Sequence, residues 1–281
     1  MSPVTTTAST LIPYQAAIRF IEAVLRQAGY AGWRVIADPL SRDPHLEQAL
    51  RHVYLPTRDI SVDQLKDYVR HELLDGHVAR CIAGEQSLIG LLGIHLSNSL
   101  EMEEGLATYK EIQNAAREGR AHDASGIWFG TLAVGLAAGV VTAPQTFSRL
   151  FTFFDTLIYL YRLVKRPDQS VQVARERAQA IALGRCLRTY RGVPDVTIPG
   201  VCYTKDVLYQ RGLHKIMRAL EEDSTVVERL AVGVVALEHL PDLKKLGIVA
   251  APQALRTMMQ DSRVDEHILS FVHPNEEHCQ E

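Results

Sequence analysis

The stretch "SVDQLKDYVRHELLDGHVAR", residues 61–80, determines how the chain around it folds. Ser61, with Gln64 three residues later, forms a capping box, which marks the beginning of a helix. Apolar residues then recur at the spacing of one helical face: Leu65, Tyr68, Val69 and Leu73. The stretch therefore predicts an amphipathic helix that carries whatever chemistry its polar residues provide.

Two histidines and a glutamate in this stretch are of the residue types found in zinc sites. Catalytic zinc takes three protein ligands, of which two histidines and a glutamate are a standard set, and leaves one position for water. A nearby carboxylate removes the proton of that water as it attacks a carbonyl. His71 and His77 can supply the imidazoles, and Glu72 can be the base.

The spacing of the two histidines requires a break in the helix. On a continuous α-helix, residues six positions apart lie about 120° and about 9 Å from each other, which is too far to share one ion. Gly76 directly precedes His77, and glycine is the usual residue for the left-handed turn that ends a helix. We therefore expect the helix to end or bulge near Gly76.

A third ligand must come from another part of the chain. The segment "LEMEEGLATY", residues 100–109, offers Glu104 and Glu103 in an acidic cluster that opens an amphipathic helix. Acidic residues in a first helical turn also interact favourably with the helix dipole, so the cluster has an ordinary structural explanation. His95 lies in an apolar stretch and is expected to be a hydrogen-bonded core histidine, although it is the natural substitute if Glu104 is not a ligand.

The rest of the chain predicts a predominantly helical α+β fold of zincin type, with a small sheet beside the site helix. "WRVIADP" (33–39) and "HVYLP" (52–56) have the β-branched and aromatic composition of strands, and we expect no others. Helical patterns cover residues 14–30, 87–96, 103–119, 127–141, 143–166, 168–190, 204–223 and 224–240. We expect residues 1–10 to be a disordered leader and residues 11–281 to be one metallopeptidase-like domain.

Composition argues against several kinds of partner. With 30 basic and 33 acidic side chains among 281 residues, the net charge of -3 disfavours nucleic-acid binding. The cysteines are scattered and form no C-x-x-C pair, so we expect reduced thiols, and no signal peptide is recognisable, which predicts a cytoplasmic location. Residues 124–148 carry no charge but contain several glycines and a proline, which favours a buried helix over a membrane span.

Motifs in a fixed order resemble those of the microtubule-associated tyrosine carboxypeptidase family and its bacterial relatives, the flavohemoglobin-expression-modulating QEGLA-motif proteins. They are "RHELLDGHVAR" (70–80), "LEMEEGLATY" (100–109), "LRTYRG" (187–192) and "CYTKDVLYQRGL" (202–213). The resemblance spans roughly residues 33–220. Members of the family carry an H-E-x-x-x-H zinc motif and a glutamate ligand in an E-G-L-A element, and the eukaryotic ones remove a C-terminal tyrosine from α-tubulin.

The resemblance implies a zinc ion held by His71, His77 and Glu104. Glu72 is then the general base that activates the zinc-bound water, and Glu103 lies behind the ligands or near the start of its helix. The sequence departs from the family at one position, because four residues separate Glu72 from His77 where the family has three.

The downstream motifs supply groups suited to a carboxypeptidase substrate. Arg188, Arg191 and Lys205 are cations that can hold a terminal carboxylate, for which a guanidinium is the best-matched partner. Tyr209, with Tyr190 or Tyr203 as alternatives, can donate a hydrogen bond to the developing oxyanion. Such arginines and lysines also commonly form surface ion pairs and helix caps.

These patterns predict a zinc-dependent hydrolase, specifically a metallo-carboxypeptidase that cleaves a peptide or peptide-like amide and has no membrane partner. Two alternatives remain. The chain is either a non-catalytic peptide-binding module of the same fold that has lost its metal, or a metal-dependent enzyme that cleaves an amide or ester in a small-molecule pathway.

Overall fold

The computed structural model describes residues 10–41, 44–74, 76–119 and 125–249 of the chain. It is a predominantly helical α+β fold, as the sequence predicts. The helices are α1 (Tyr14–Gln27), α2 (Val62–Tyr68), α3 (His77–Glu85), α4 (Ser99–Arg117), α5 (Ser125–Ala138), α6 (Phe147–Lys165), α7 (Val171–Thr189), α8 (Asp206–Glu222), α9 (Val226–Leu230) and α10 (Leu240–Lys245). Nearly all of the predicted leader, residues 1–9, lies outside the described residues.

The strands form two small sheets. β2 (Arg34–Asp38) and β4 (His52–Pro56) are the two predicted strands, and they pair in parallel. β3 (His45–Glu47) adds to the other edge of β4 in antiparallel orientation, and β1 (Leu11–Ile12) pairs with β5 (Ile60–Ser61). The expectation of only two strands is wrong, because segments of two or three residues are too short to show the alternation that identifies a strand.

The chain divides into two compact units, one containing residues Met1–Arg120 and Lys215–Glu281, the other Ala121–His214. The expectation of a single domain over residues 11–281 stays a prediction, because compact units of this kind also occur within one domain. The sheets, the site helices and the last described helices, α9 and α10, belong to the first unit. α5, α6, α7 and the beginning of α8 belong to the second.

The first unit has two hydrophobic clusters. One packs α1 against the sheet, α2 and α3, and includes the fully buried Phe20, Ile21 and Leu65. The other packs α4 against the last part of α8, α9 and α10, with Leu106 and Leu230 completely buried. Ser61 is the N-cap of α2, as predicted, since its side chain accepts a hydrogen bond from the Gln64 backbone N–H at 3.1 Å, which is one of the two hydrogen bonds of a capping box.

Two segments predicted to be helical are not. Residues 87–96 contain only a short 3₁₀ helix, Gly90–Gly93, and residues 231–236 form a buried, irregular chain after α9. Arg80 fixes the second segment, because its fully buried guanidinium donates to the carbonyls of Leu230, Gly233 and Val235 at 2.8–3.3 Å. Residues 231–236 are apolar because they are buried, whereas Leu88, Leu91 and Ile94 of the first segment are exposed.

The second unit is built around small residues. Ala133 and Ala137 of α5 and Ala178 and Ala182 of α7 are completely buried, together with Phe154 of α6. Within the uncharged segment, α5 thus packs one side against a protein core, whereas Val140 and Val141 after the helix are exposed. In the described part of the chain, no helix combines the length and the apolar character needed to cross a membrane.

Candidate metal and catalytic site

The predicted break between the two histidines is present, and it has two parts. α2 ends at Tyr68, and the chain continues as a π-helix over Val69–Leu74 before α3 begins at His77. In a π-helix the hydrogen bonds run from i to i+5, so the turn is wider than in an α-helix, and such turns are frequent at functional sites. Compared with a continuous α-helix, the wider turn and the start of a new helix at His77 change the directions in which the two imidazoles point.

Gly76 is required at the break, but for a different reason from the predicted one. Its φ of −106° is not left-handed, so the expectation of a left-handed turn is wrong. A Cβ at this position would instead lie 1.5 Å from the carbonyl oxygen of His71 and 3.3 Å from the Cβ of Ala107. Glycine allows the chain after the π-helix to approach the histidine backbone and α4 closely.

The two histidines converge with Glu104 of α4. Nε2 of His71 lies 3.6 Å, and Nε2 of His77 3.7 Å, from Oε2 of Glu104. The ring centroids of the two imidazoles are 5.4 Å apart, and the three ligand atoms all lie within 4.8 Å of one another. The structure therefore brings together the three residues that the resemblance implies as ligands.

These distances fit a shared cation better than direct hydrogen bonds. An N–H···O hydrogen bond spans about 2.7–3.2 Å, which is shorter than either nitrogen–oxygen distance to Glu104. With ligand bonds of about 2.0–2.2 Å, neighbouring ligands of a tetrahedral zinc ion are about 3.3–3.6 Å apart. Two imidazoles and one carboxylate, all nearly buried, are also donors that zinc prefers. The residues present thus fit a zinc ion.

The other nitrogen of each imidazole faces a second carboxylate. Nδ1 of His77 lies 2.7 Å from Oε1 of Glu103, and Nδ1 of His71 lies 3.2 Å from Oε1 of Glu111. A carboxylate on Nδ1 holds the proton there and leaves the lone pair on Nε2. Both Nε2 atoms therefore lie on the side of Glu104, where they can bind a metal ion that displaces their protons.

The site carries an excess of negative charge. Around the two imidazoles lie four carboxylates, which are those of Glu72, Glu103, Glu104 and Glu111. Burial disfavours the charged form of His77, but the carboxylates of Glu103, Glu104 and Glu72 outweigh burial and raise its pKa to about 10. The pKa of His71 is likewise raised well above its usual value, since Glu111, Glu104 and Glu72 outweigh its burial. The surroundings favour positive charge between the histidines.

Glu72, the predicted base, lies on the same side of the imidazoles as Glu104. Its Oε2 is 3.9 Å from Nε2 of His77, and its side chain is 19% exposed, compared with 2% for Glu104. A carboxylate that is close to the ligand nitrogens and still accessible to water is suited to accept a proton from a water molecule.

The comparison with protein families agrees with the motifs of the sequence. Residues 170–277 match the family model of microtubule-associated tyrosine carboxypeptidase. The match confirms the resemblance to this family, although it begins after the motifs that contain His71 and Glu104. No curated protein gives a significant match to the chain. The site described above therefore rests on its own geometry, and the family match concerns α7, α8 and the residues that follow.

The residues predicted to bind substrate lie within the part that matches the microtubule-associated tyrosine carboxypeptidase family. Arg188 of α7 pairs with Asp206 at the start of α8 and donates to the hydroxyl of Tyr209 at 3.2 Å. The Lys205 ammonium lies 5.9 Å from the centre of the Tyr209 ring, and the Arg191 guanidinium lies 4.5 Å from the centre of the Tyr203 ring. The structure thus brings Arg188, Lys205 and Tyr209 together, and their role in binding substrate stays a prediction.

The remaining candidates have other roles in the structure. Tyr190 is nearly buried, and its hydroxyl donates to the backbone carbonyl of Gln145 at 2.7 Å. The interpretation of His95 as a core histidine is wrong, because its side chain is 48% exposed and its Nδ1 lies 3.3 Å from Glu103. The ordinary explanation of the acidic cluster is also wrong for Glu103 and Glu104, since α4 begins at Ser99 and both are buried in its second turn.

Sequence reasoning missed Glu111 and Gln48. Glu111 follows Glu104 by seven residues, which is two helical turns, so both lie on one face of α4. This spacing in the sequence could have identified Glu111 as a further residue of the site. Gln48 contacts Glu103 from a short 3₁₀ helix after β3, with Nε2 3.4 Å from Oε1, and nothing in its local sequence indicates this contact.

Proposed function

We propose that this chain is a zinc-dependent hydrolase, specifically a metallo-carboxypeptidase that cleaves a peptide or peptide-like amide. The observation that carries the proposal is the convergence of His71 Nε2 and His77 Nε2 on Glu104 Oε2, at 3.6 and 3.7 Å. The family match over residues 170–277 supports a peptide as the substrate class, since the family is described as a carboxypeptidase.

The three ligand residues would hold zinc on the side of the imidazoles that faces Glu104. When bound, the ion polarises a carbonyl and lowers the pKa of water. Glu72 accepts the proton of the attacking water on its carboxylate and passes it to the amine that leaves. Its position in the π-helix, one residue after His71, keeps this carboxylate beside the ligands.

The cations of the second unit are proposed to recognise the free carboxylate of the substrate. Arg188 has one edge held by Asp206 and Tyr209, and its side chain is 47% exposed. A guanidinium fixed in this way can present its remaining N–H groups to a carboxylate in a bidentate arrangement. Arg191 and Lys205 add positive charge to the same unit, and Tyr209 is a further hydrogen-bond donor.

The test combines metal analysis with hydrolysis of a peptide library. We expect one zinc per chain in the purified protein, together with cleavage of peptides that have a free C-terminal carboxylate but not of their amidated counterparts. Glu72→Gln should retain zinc and lose hydrolysis by at least about 100-fold, the usual contribution of a general base. Glu85→Gln is the matched control, because Glu85 is a half-exposed glutamate paired with Arg51 and should leave both properties unchanged.

Three outcomes would contradict the proposal. Protein without zinc after gentle isolation and zinc addition would favour the non-catalytic binding module. Failure of all peptides while a non-peptide amide or ester is cleaved would favour an enzyme of small-molecule metabolism. Full hydrolysis by Glu72→Gln would remove Glu72 from the mechanism.

A further inference from the structure

The two carboxylates that contact the Nδ1 atoms of the histidines differ in how deeply they are buried. Glu103 is completely buried, whereas the side chain of Glu111 is 20% exposed. Both belong to α4, the helix that also supplies Glu104. One helix therefore carries a proposed ligand and the two carboxylates that contact the Nδ1 atoms of the other two proposed ligands. α4 therefore fixes all three carboxylates relative to one another.

Glu103 connects α4 to three other elements. Its Oε1 lies 2.7 Å from Nδ1 of His77 at the start of α3, and accepts from Nε2 of Gln48 after β3 at 3.4 Å. Its Oε2 lies 3.3 Å from Nδ1 of His95, and the other ring nitrogen of His95 lies 2.9 Å from Oε1 of Gln48. Glu103, Gln48 and His95 thus form a closed ring of contacts, which leaves the Glu103 carboxylate little freedom to turn away from His77.

Nitrogen donors surround the buried Glu103 carboxylate. The Nδ1 atom of His77 lies 2.7 Å from its Oε1, and the Nδ1 atom of His95 lies 3.3 Å from its Oε2. A buried carboxylate with these partners accepts a strong hydrogen bond from His77 and makes the opposite nitrogen of the ring a better electron donor. Glu111 stands in the same relation to His71, at the longer distance of 3.2 Å.

We propose that Glu103 and Glu111 are positioning residues that orient His77 and His71 for a divalent cation, and that Glu103 has the larger effect. This inference rests on the proposed function, because both residues act through the proposed ligands. Partners of this kind are typically worth about 10–100-fold in metal affinity. Glu103 falls at the upper end of that range, since it is fully buried and held on several sides, and Glu111 at the lower end.

The experiment measures zinc affinity, by competition with a chromophoric chelator, and the visible absorption spectrum of the Co²⁺-substituted protein. Glu103→Gln should weaken zinc binding about 100-fold and Glu111→Gln about 10-fold. Both should change the Co²⁺ spectrum, because the imidazoles turn. Glu101→Gln is the control: Glu101 is a buried glutamate of the same helix that pairs with Lys215 at 2.9 Å, so its loss affects folding but not the ligands.

A second variant keeps the inference testable if Glu103→Gln does not fold. Gln48→Ala removes one contact of Glu103 from outside the core and should weaken zinc binding by less than about tenfold, with the metal-free protein as stable as the wild type. A return towards wild-type affinity in Glu103→Asp, compared with Glu103→Gln, would support the requirement for a carboxylate.

The results separate this inference from the proposed function. If the wild type binds zinc and both Glu103→Gln and Glu111→Gln match Glu101→Gln in affinity and Co²⁺ spectrum, the inference is overturned while the metal site stands. If the wild type does not bind zinc at all, the proposed function fails and the inference fails with it.

Discussion

Two charged clusters in this protein contain the residues predicted to be functional, and they differ in how their carboxylates are paired. In the second unit, Asp206 accepts from Arg188 and Arg185, with Arg185 Nη1 at 3.1 Å from Oδ2. In the first unit, four carboxylates surround two imidazoles, and the nitrogens nearest Glu104 are too far from it for good hydrogen bonds.

The difference indicates which cluster needs a partner to be complete. The Asp206 cluster satisfies its carboxylate with direct hydrogen bonds, and Asp206 outweighs burial in raising the pKa of Arg188. The histidine cluster contains four carboxylates around two imidazoles, and both Nε2 atoms face Glu104, at 3.6 and 3.7 Å. We propose that a cation completes the histidine cluster, whereas the Asp206 carboxylate already accepts direct hydrogen bonds from two arginines.

The largest expected effect is the loss of a ligand from the histidine cluster. His71→Ala or His77→Ala should weaken zinc binding by more than the roughly 100-fold typical of an outer partner, and the zinc content of the purified protein should fall to near zero. Atomic emission spectrometry of the purified variants measures their zinc content. His214→Ala is the control, because His214 is an exposed imidazole of α8. Equal zinc in all three variants would mean that the histidine cluster does not hold the metal.

The next-largest effect is seen by comparing the substitution of a glycine beside the histidine cluster with that of a glycine in the second unit. Gly76→Ala should destabilise the protein by about 1–3 kcal/mol or more and abolish zinc binding, because its Cβ would lie 1.5 Å from the His71 carbonyl oxygen. Gly184→Ala, in α7 with nothing within 4 Å of the added Cβ, should instead stabilise by up to about 1 kcal/mol. Chemical denaturation measures both. A Gly76→Ala protein with normal stability and zinc content would contradict the close approach.

A moderate effect is expected from breaking the Asp206 cluster. Asp206→Asn removes the charge that Arg185 and Arg188 share, and should lower the free energy of unfolding by about 1–3 kcal/mol. Zinc affinity should not change, because no proposed ligand lies in this cluster. Denaturation and metal titration of the same preparation test both statements. A loss of zinc in Asp206→Asn, at unchanged stability, would show that the two clusters do not act independently.

The smallest effect concerns substrate. Arg188→Lys keeps the positive charge but loses the planar fork, so we expect KM for peptides with a free C-terminus to rise by about tenfold, with kcat little changed. Amidated peptides should show no such rise. If both kinds of peptide respond equally, Arg188 does not recognise the terminal carboxylate and serves the Asp206 cluster alone.

Motif spacing and residue chemistry predicted most of the candidate site. Glu104 could be named because its type and motif match a ligand, and the need for a break before His77 followed from helical geometry alone. The π-helix could not be predicted, since its wider turn depends on how Val69–Leu74 pack and not on a residue pattern. The contacts of Gln48 and His95 with Glu103 depend on long-range folding, which local sequence does not encode.

The fold shows the same limit. Long amphipathic or alanine-rich segments such as α1, α6 and α7 were predicted because their periodicity extends over several turns. The buried segment 231–236 was wrongly predicted to be helical, because a fully apolar run has the same composition in a helix and in an irregular core segment. Its actual conformation is set by carbonyls that must satisfy Arg80, a residue about 150 positions away.

Arg80 also bears on how the protein can be divided experimentally. A fragment ending at residue 120 would contain every proposed ligand, yet it would lack the three carbonyls that receive the hydrogen bonds of the Arg80 guanidinium. Because these hydrogen bonds stabilise the fold around α3, this minimal piece should be less stable than the intact chain. Short peptides copied from the histidine motif would likewise be poor substitutes for the intact chain in metal studies.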